Sequence, residues 1–290
     1  MFARRWKLTG RFLLNQITLI SLGMISSLSV RVHGAMASAP DEASATPYRL
    51  SLGKDVFLSV LGTTLFFSGR TISSHATAMP TTGEISALDA RTVNWFDRSA
   101  TRRWSPGADT ASDVTEYTAA LLPLVPAILQ FVHRRPRDGI TVLVMYAEAF
   151  GINVGLTSMM KGLVQRRRPF LYNHSLTTEQ KLEASGQRTS FFSGHTSKAF
   201  CGAVFLSTTF SAIFADSPLR YVVWPASMTL AATTGLLRYV AGRHFPSDIL
   251  VGATAGAMTG ALIPLLHRHG QIAVYPLGGP INGIGASFSF

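Results

Sequence analysis

At 290 residues the chain can bury a sizeable core as one large domain or two small ones. Charged residues are 14% against a usual value of about 25% and hydrophobic residues reach 47%, so the composition suits membrane-spanning or deeply buried helices, while the mean hydropathy of +0.25 leaves both readings open. The net charge of +11 points to anionic partners such as lipid headgroups or phosphate esters, with nucleic acid ranked last because no basic run is interleaved with aromatics; the single cysteine, Cys201, excludes an internal disulfide and a cysteine-rich metal site.

The first segment, 1–39, combines the basic start MFARRWKLTGR with an apolar run from Phe12 to Val30 and small-residue sites at Ala35–Ala37 and Ala37–Ala39. That pattern reads as a secretory signal, or as an N-terminal anchor given the length of the apolar run and the Arg31 and His33 that follow it. Residues 40–116 form a polar lead-in with short helices. Within it, Asp55 to Ser68 is apolar but too short to cross a bilayer comfortably.

From residue 117 to 268 five apolar segments follow: Thr118–Val132, Gly139–Met160, Ser197–Ala215, Tyr221–Leu237 and Ile249–Leu266. Each has about the length of a helix that spans or nearly spans a bilayer. Their Ala, Gly, Ser and Thr content suits close helix packing in lipid, and a soluble all-α bundle is the alternative. Glu148, in mid-segment, fits that alternative or an inward-facing carboxylate. The linkers 133–138 and 216–220 and the end 267–270 fall on one side and are basic, as cytoplasmic loops are. Residues 161–196 and 238–248 fall on the other side and are also basic, so their charge needs another reason. The tail, 269–290, holds two short β-like runs around a Gly/Pro turn and reads as a hairpin.

Three clusters share that second side. The first is KGLVQRRRPF, with Lys161 and Arg168 and a helix-stopping Pro169. The second is SFFSGHTS, where Ser193, Gly194 and His195 precede an apolar helix whose N-terminal N–H groups favour an anion. The third is RYVAGRHFPSD, with Arg238, His244 and Asp248. Lys161, Arg168 and Arg238 are cations suited to phosphate oxygens. The His244–Asp248 spacing lets the carboxylate accept a hydrogen bond from one ring nitrogen, leaving the other free as nucleophile or base, and His195 supplies a second imidazole for acid work. Singly, each has a plain structural reading: a capped helix end, a structural His–Asp pair, a turn.

Taken in order, the clusters resemble the K-x6-R-P, P-S-G-H and S-R-x5-H-x3-D signature of the type 2 phosphatidic acid phosphatase (PAP2) superfamily, over roughly Tyr117 to Leu266. That superfamily includes lipid phosphate phosphatases, bacterial class A acid phosphatases and vanadium haloperoxidases. Phe192 stands where its proline is usual, and Leu237 where its serine is. The resemblance implies an all-α bundle of about five to six helices; the apolar segments suit one embedded in the membrane, and the N-terminal export pattern puts the active site on the outer face of the inner membrane if the source is bacterial. The resemblance implies hydrolysis of lipid phosphate mono- or pyrophosphate esters through a phosphohistidine at His244, with Asp248 holding its tautomer and His195 protonating the leaving alkoxide. Lys161, Arg168, Arg238 and the Ser193 and Gly194 backbone would hold the phosphate oxygens. No cofactor and no metal are expected, there being no HExxH or carboxylate cluster in the sequence. Arg166, Arg167 and Arg243 are extra and read as headgroup or surface contacts. A phosphorylated lipid is the expected substrate. The alternatives are an exported soluble acid phosphatase, a vanadate-dependent haloperoxidase and a non-catalytic lipid-phosphate binder.

Overall fold

The computed structural model describes residues 46–76, 80–269, 272–277 and 283–288, so the signal or anchor read at 1–39 lies outside the described residues. Nine α-helices are described: α1 (Leu52–Ala76), α2 (Thr82–Ser86), α3 (Pro106–Leu121), α4 (Leu124–Val132), α5 (Pro136–Val164), α6 (Thr178–Glu183), α7 (Gly194–Ile213), α8 (Arg220–Val240) and α9 (Pro246–His267). Local chemistry sets their ends. Prolines at the first position open α3, α5 and α9, where a missing N–H costs nothing. The Ser105 hydroxyl accepts the Ala108 N–H ahead of α3, and Ser193 does the same for Thr196 ahead of α7. Gln165 ends α5 in the left-handed region, at φ 46°. In the tail, β1 (Ile272–Leu277) and β2 (Gly283–Phe288) pair antiparallel with Ile272 opposite Phe288, the hairpin expected there.

The long α5 and the buried α7 form the centre. α5 packs against α1, α4, α7 and α9, and α7 packs against α3, α8 and α9. A core of Tyr48, Leu58, Val142, Met145, Phe205 and Ile263 fills the space between them. Glycines bring the backbones together. A Cβ at Gly252, Gly256 or Gly260 of α9 would come within 2.6, 2.0 or 2.5 Å of the Ser193, Ser197 or Cys201 carbonyl oxygens of α7. This four-residue spacing of glycines on one face is the small-residue seam that lets helices approach closely in lipid.

Two boundaries differ from the sequence reading. The apolar stretch expected to end near Ser68 runs as a helix to Ala76, because Gly62 and Gly69 let it lie against α5 through its full length. The segment expected to open at Thr118 begins at Pro106, so α3 carries a polar first half into the bundle. Among the described residues three helical segments are long and apolar enough to cross a membrane: Pro106–Val132, Pro136–Tyr172 and Pro246–His267. Their outer faces carry exposed Val114, Leu121, Ile128, Val251, Met258 and Leu262, which would be an unfavourable display in water. The chain is a helical membrane protein.

Replacing Gly256 by valine forces a side chain into the Ser197 carbonyl, at a place where neither backbone can yield. The expected result is a loss of roughly 1–3 kcal/mol or more, read as a lower unfolding midpoint in detergent, whereas Thr254→Val, on the exposed face, leaves the midpoint unchanged.

Candidate active site

The C-terminal ends of α5 and α8 and the N-terminal ends of α3, α7 and α9 meet at one end of the bundle. The chain after α5 is pinned there by backbone hydrogen bonds. Arg168 N–H donates to the Gln187 carbonyl (2.9 Å), Ser190 N–H to that of Arg166 (3.0 Å) and Phe170 N–H to that of Gly242 (3.1 Å). Ser193 N–H donates to the Asp248 carbonyl (3.0 Å), which ties the first turns of α7 and α9 together. Lys161, Arg168, Ser193, Gly194, His195, Arg238, His244 and Asp248 are thereby gathered at this end, from positions far apart in the chain.

His244 is fully buried, and its Nδ1 lies 2.7 Å from the Ser190 carbonyl oxygen. A carbonyl only accepts, so Nδ1 carries the proton and Nε2 presents its lone pair. Nε2 has no hydrogen-bond partner among the described residues. Asp248 stands 3.8 Å from Nδ1, too far for the hydrogen bond that the His-x3-Asp spacing suggested. Its carboxylate is already engaged, by the Ser190 hydroxyl (2.5 Å), Arg166 Nη1 (2.6 Å) and the Phe245 N–H (3.0 Å). Ser190, which the sequence reading did not single out, thus touches both partners and holds the tautomer through its backbone. Burial, with the charges of Arg168, Arg238 and Lys161 added, pushes the His244 pKa well below the usual histidine value and keeps the ring neutral.

The cations surround that ring. Arg168 is buried, donates through Nη2 to Thr189 Oγ1 (3.3 Å) and keeps Nε unpartnered. Arg238 is buried too. Its Nη1 is paired with Asp109 (2.5 Å) and Ser112 Oγ (3.0 Å), and its Nε is unpartnered. Lys161 has no hydrogen bond or ion pair among the described residues. Its Nζ lies 3.2 Å from where a Cβ on Gly194 would stand, so the absent side chain is what lets the ammonium sit over the α7 N-terminus. The backbone contribution differs from expectation. Ser193 N–H is spent on Asp248 and its hydroxyl on Thr196, which leaves the N–H groups of Gly194 and His195, the first two in the helix, for an anion.

His195 Nε2 lies 2.8 Å from Asp113 Oδ1 and 3.5 Å from Glu116 Oε2, and Glu116 is also paired with Lys198 at 2.6 Å. Burial first, then Arg238, Lys198, His244 and Lys161, push the His195 pKa well below the histidine range. An arriving phosphate dianion reverses the sign of that field, so anion binding and protonation of His195 favour one another.

Residues 142–270 match the PAP2 superfamily. This part of the chain belongs to that family. Among solved structures, the chain is similar to a transmembrane PAP2-type phosphatidylglycerolphosphate phosphatase from Bacillus subtilis, at 18% identity and a TM-score of 0.46 over 71% of this chain and 94% of that one. It is also similar to Aquifex aeolicus LpxE, at 22% identity and a TM-score of 0.40 over 61% of this chain and 98% of that one. No curated protein sequence matches it.

The PAP2 segment begins within α5 and leaves out α3, yet α3 supplies Asp109, Ser112, Asp113 and Glu116 to the site. The spacing of those carboxylates, three and four apart, places them on one helix face and was the available signal. Arg243 joins the same group, donating to Asp109 Oδ2 at 2.6 and 3.1 Å. Arg166 bridges Asp248 and Asp97 (2.6 and 2.7 Å) and lies 4.1 Å from the Phe245 ring centre. Both are engaged by carboxylates of the chain itself. Arg167 pairs with Glu84 at 3.6 Å near the surface.

Two outcomes are expected of this geometry. Gly194→Ala displaces the Lys161 ammonium, and titration calorimetry should show inorganic phosphate binding weakened about ten-fold with the fold intact. For stability, the folded pKa values of His244 and His195 lie below the unfolded value of about 6.5, so the unfolded chain binds more protons as pH falls. The unfolding midpoint should therefore drop as pH is lowered below about 6.5, and His244→Asn should remove part of that drop.

Proposed function

We propose that the chain is a phosphatase that hydrolyses phosphate esters of membrane lipids through a phosphohistidine on His244. The observation that carries this reading is the His244 ring, buried and held in one tautomer, with its unpartnered Nε2 among Arg168, Arg238 and Lys161. In the first step Nε2 attacks phosphorus, an N–P bond forms and the P–O ester bond breaks. His195, protonated as the anion binds, gives its proton to the departing alkoxide. Asp113 and Glu116 hold that ring in place. Water then attacks the phosphohistidine with His195 as base, releasing orthophosphate and restoring Nε2. Lys161, Arg168, Arg238 and the Gly194 and His195 N–H groups stabilise the charge spread over the equatorial oxygens. Asp248, 3.8 Å from Nδ1, offsets the positive charge that the attacking ring acquires.

A lipid substrate is supported by the rim of the site. Leu163 and Val164 at the end of α5, Leu236 on α8, and Leu250 and Val251 at the start of α9 are exposed at this end. Such a rim suits acyl chains beside a phosphate held deeper in the bundle. The basic residues Arg134, Arg135 and Arg137 stand at the opposite end, by the start of α5, which supports a cytoplasmic position for that end and the outer face of the membrane for the site.

The test is phosphate release in EDTA from a panel of lipid and water-soluble phosphate esters. Release should favour the lipids and fall at least ~1,000-fold in His244→Ala. Asp248→Asn should keep at least ten-fold more activity than His244→Ala, because Ser190 rather than Asp248 fixes the tautomer. Release confined to soluble esters would make the chain an acid phosphatase of broad specificity. Bromide oxidation with added vanadate and no ester hydrolysis would replace the proposal by a haloperoxidase.

A further inference from the structure

A second polar cluster lies at the other end of α9. His267, in its last turn, and Asp55, in the first turn of α1, meet Glu148 from the middle of α5, and all three are buried. His267 Nε2 stands 3.1 Å from Asp55 Oδ1 and 3.3 Å from Glu148 Oε2. The three ligand atoms lie within 4.8 Å of one another. At 1.5 Å per residue the length of α9 separates this cluster from His244 by roughly 30 Å, so the two sites share no residue.

With both carboxylates ionised and the ring neutral, the electron pairs in the cluster do not balance without a cation or a further proton. His267 Nδ1 lies 2.8 Å from the Ile263 carbonyl oxygen, so that nitrogen carries a proton and donates it. In the neutral ring Nε2 then points a lone pair at two carboxylate oxygens, three acceptors facing one another. A single proton, on Nε2 or on Glu148, would join one pair of these atoms and leave the third acceptor facing them. Among the described residues both oxygens of Glu148 are without a hydrogen-bond partner, although the side chain is only 3% exposed. An unpartnered buried carboxylate is among the costliest groups a protein can hold. Asp55 is oriented toward the cluster by the Ser51 N–H, which donates to its other oxygen at 2.8 Å. The nearby Lys54 ammonium is turned to the Leu266 and Arg49 carbonyls, at 3.1 and 3.4 Å.

We propose that Asp55, Glu148 and His267 form a binding site for a divalent transition-metal ion of the zinc type, one that clamps α1, α5 and α9 together. The spacing fits. An ion about 2.0–2.1 Å from each ligand in a tetrahedral arrangement separates the ligand atoms by roughly 3.4 Å, close to the two separations from His267. A histidine with two carboxylates suits a borderline cation, and the Nδ1–H bond to a backbone carbonyl is the outer contact that orients ligating histidines. The ion would supply the partner that Glu148 lacks. Its role is structural, and the inference stands whether or not His244 carries out phosphoryl transfer.

The full chain in detergent, loaded with Zn²⁺ and dialysed against metal-free buffer, should retain about one Zn²⁺ per chain by elemental analysis. Its unfolding midpoint should fall when EDTA is added and recover with Zn²⁺. Glu148→Gln, nearly the same shape, should bind Zn²⁺ at least ~ten-fold more weakly, and its midpoint should be indifferent to EDTA. Asp55→Asn serves in its place if that variant does not fold. Wild-type protein that retains no zinc, or whose midpoint ignores both EDTA and zinc, would show a cluster held by protons and overturn the proposal. So would equal zinc retention in the wild type and the variants, since the metal would then sit elsewhere.

Discussion

The hydrogen bond from His244 Nδ1 to the Ser190 carbonyl, 2.7 Å long, is the contact on which the polar end of the bundle depends. A histidine surrounded by arginine and lysine would otherwise be free to rotate, to change tautomer or to take up a proton. Here the carbonyl fixes the proton on one nitrogen, and burial among cations keeps the other bare. Ser190 can serve because its own position is doubly fixed, by its N–H to the Arg166 carbonyl and by its hydroxyl to Asp248. Asp248 in turn is held by Arg166, and Arg166 by Asp97. The aspartate two positions beyond the helix-opening proline therefore works as the hub of a buried network, and the imidazole receives its geometry from the hub indirectly.

That network rests on close helix contact. Gly252, Gly256 and Gly260 admit α7 to within backbone distance of α9, and the Ser193 N–H bond to the Asp248 carbonyl follows from the same approach. Lys161 reaches the α7 N-terminus only because Gly194 has no side chain. Packing in lipid and placement of charge are thus one problem with one solution. Small residues bring the helix ends together, and the convergent N-termini and cations make a seat for an anion. The cations also differ in how committed they are. Arg238 shares its fork with Asp109, while Lys161 has no partner among the described residues, so an arriving phosphate would meet an uncommitted ammonium and a guanidinium already oriented.

Much of this was legible in the sequence because the three clusters are local: each places its polar residues within a dozen positions at a helix end. The all-helical class, the hairpin and the gathering of eight site residues follow from such local patterns and from the alternation of apolar segments with basic linkers. Contacts between remote segments were not legible. The Ser190 carbonyl has no side-chain signature. The His244–Asp248 spacing suggested a direct bond, which the competing claims of Arg166, Ser190 and Phe245 on that carboxylate remove. The α3 carboxylates carry only a faint face-spacing signal, because the polar first half of that helix reads as lead-in ahead of the apolar segments. Glu148 was noticeable as a lone charge in an apolar run, but Asp55 and His267 lie 212 positions apart and only folding sets them beside it.

A bond between His244 Nε2 and phosphorus is the step on which the proposed chemistry turns. It is tested most directly by quenching the chain with strong base milliseconds after mixing with a ³²P-labelled lipid phosphate, then locating the label by peptide mass spectrometry. Label should survive base, be lost in acid, map to the peptide bearing His244 and disappear in His244→Ala. Orthophosphate released in a burst with no label ever attached to that peptide would contradict it, since water would then be attacking phosphorus directly.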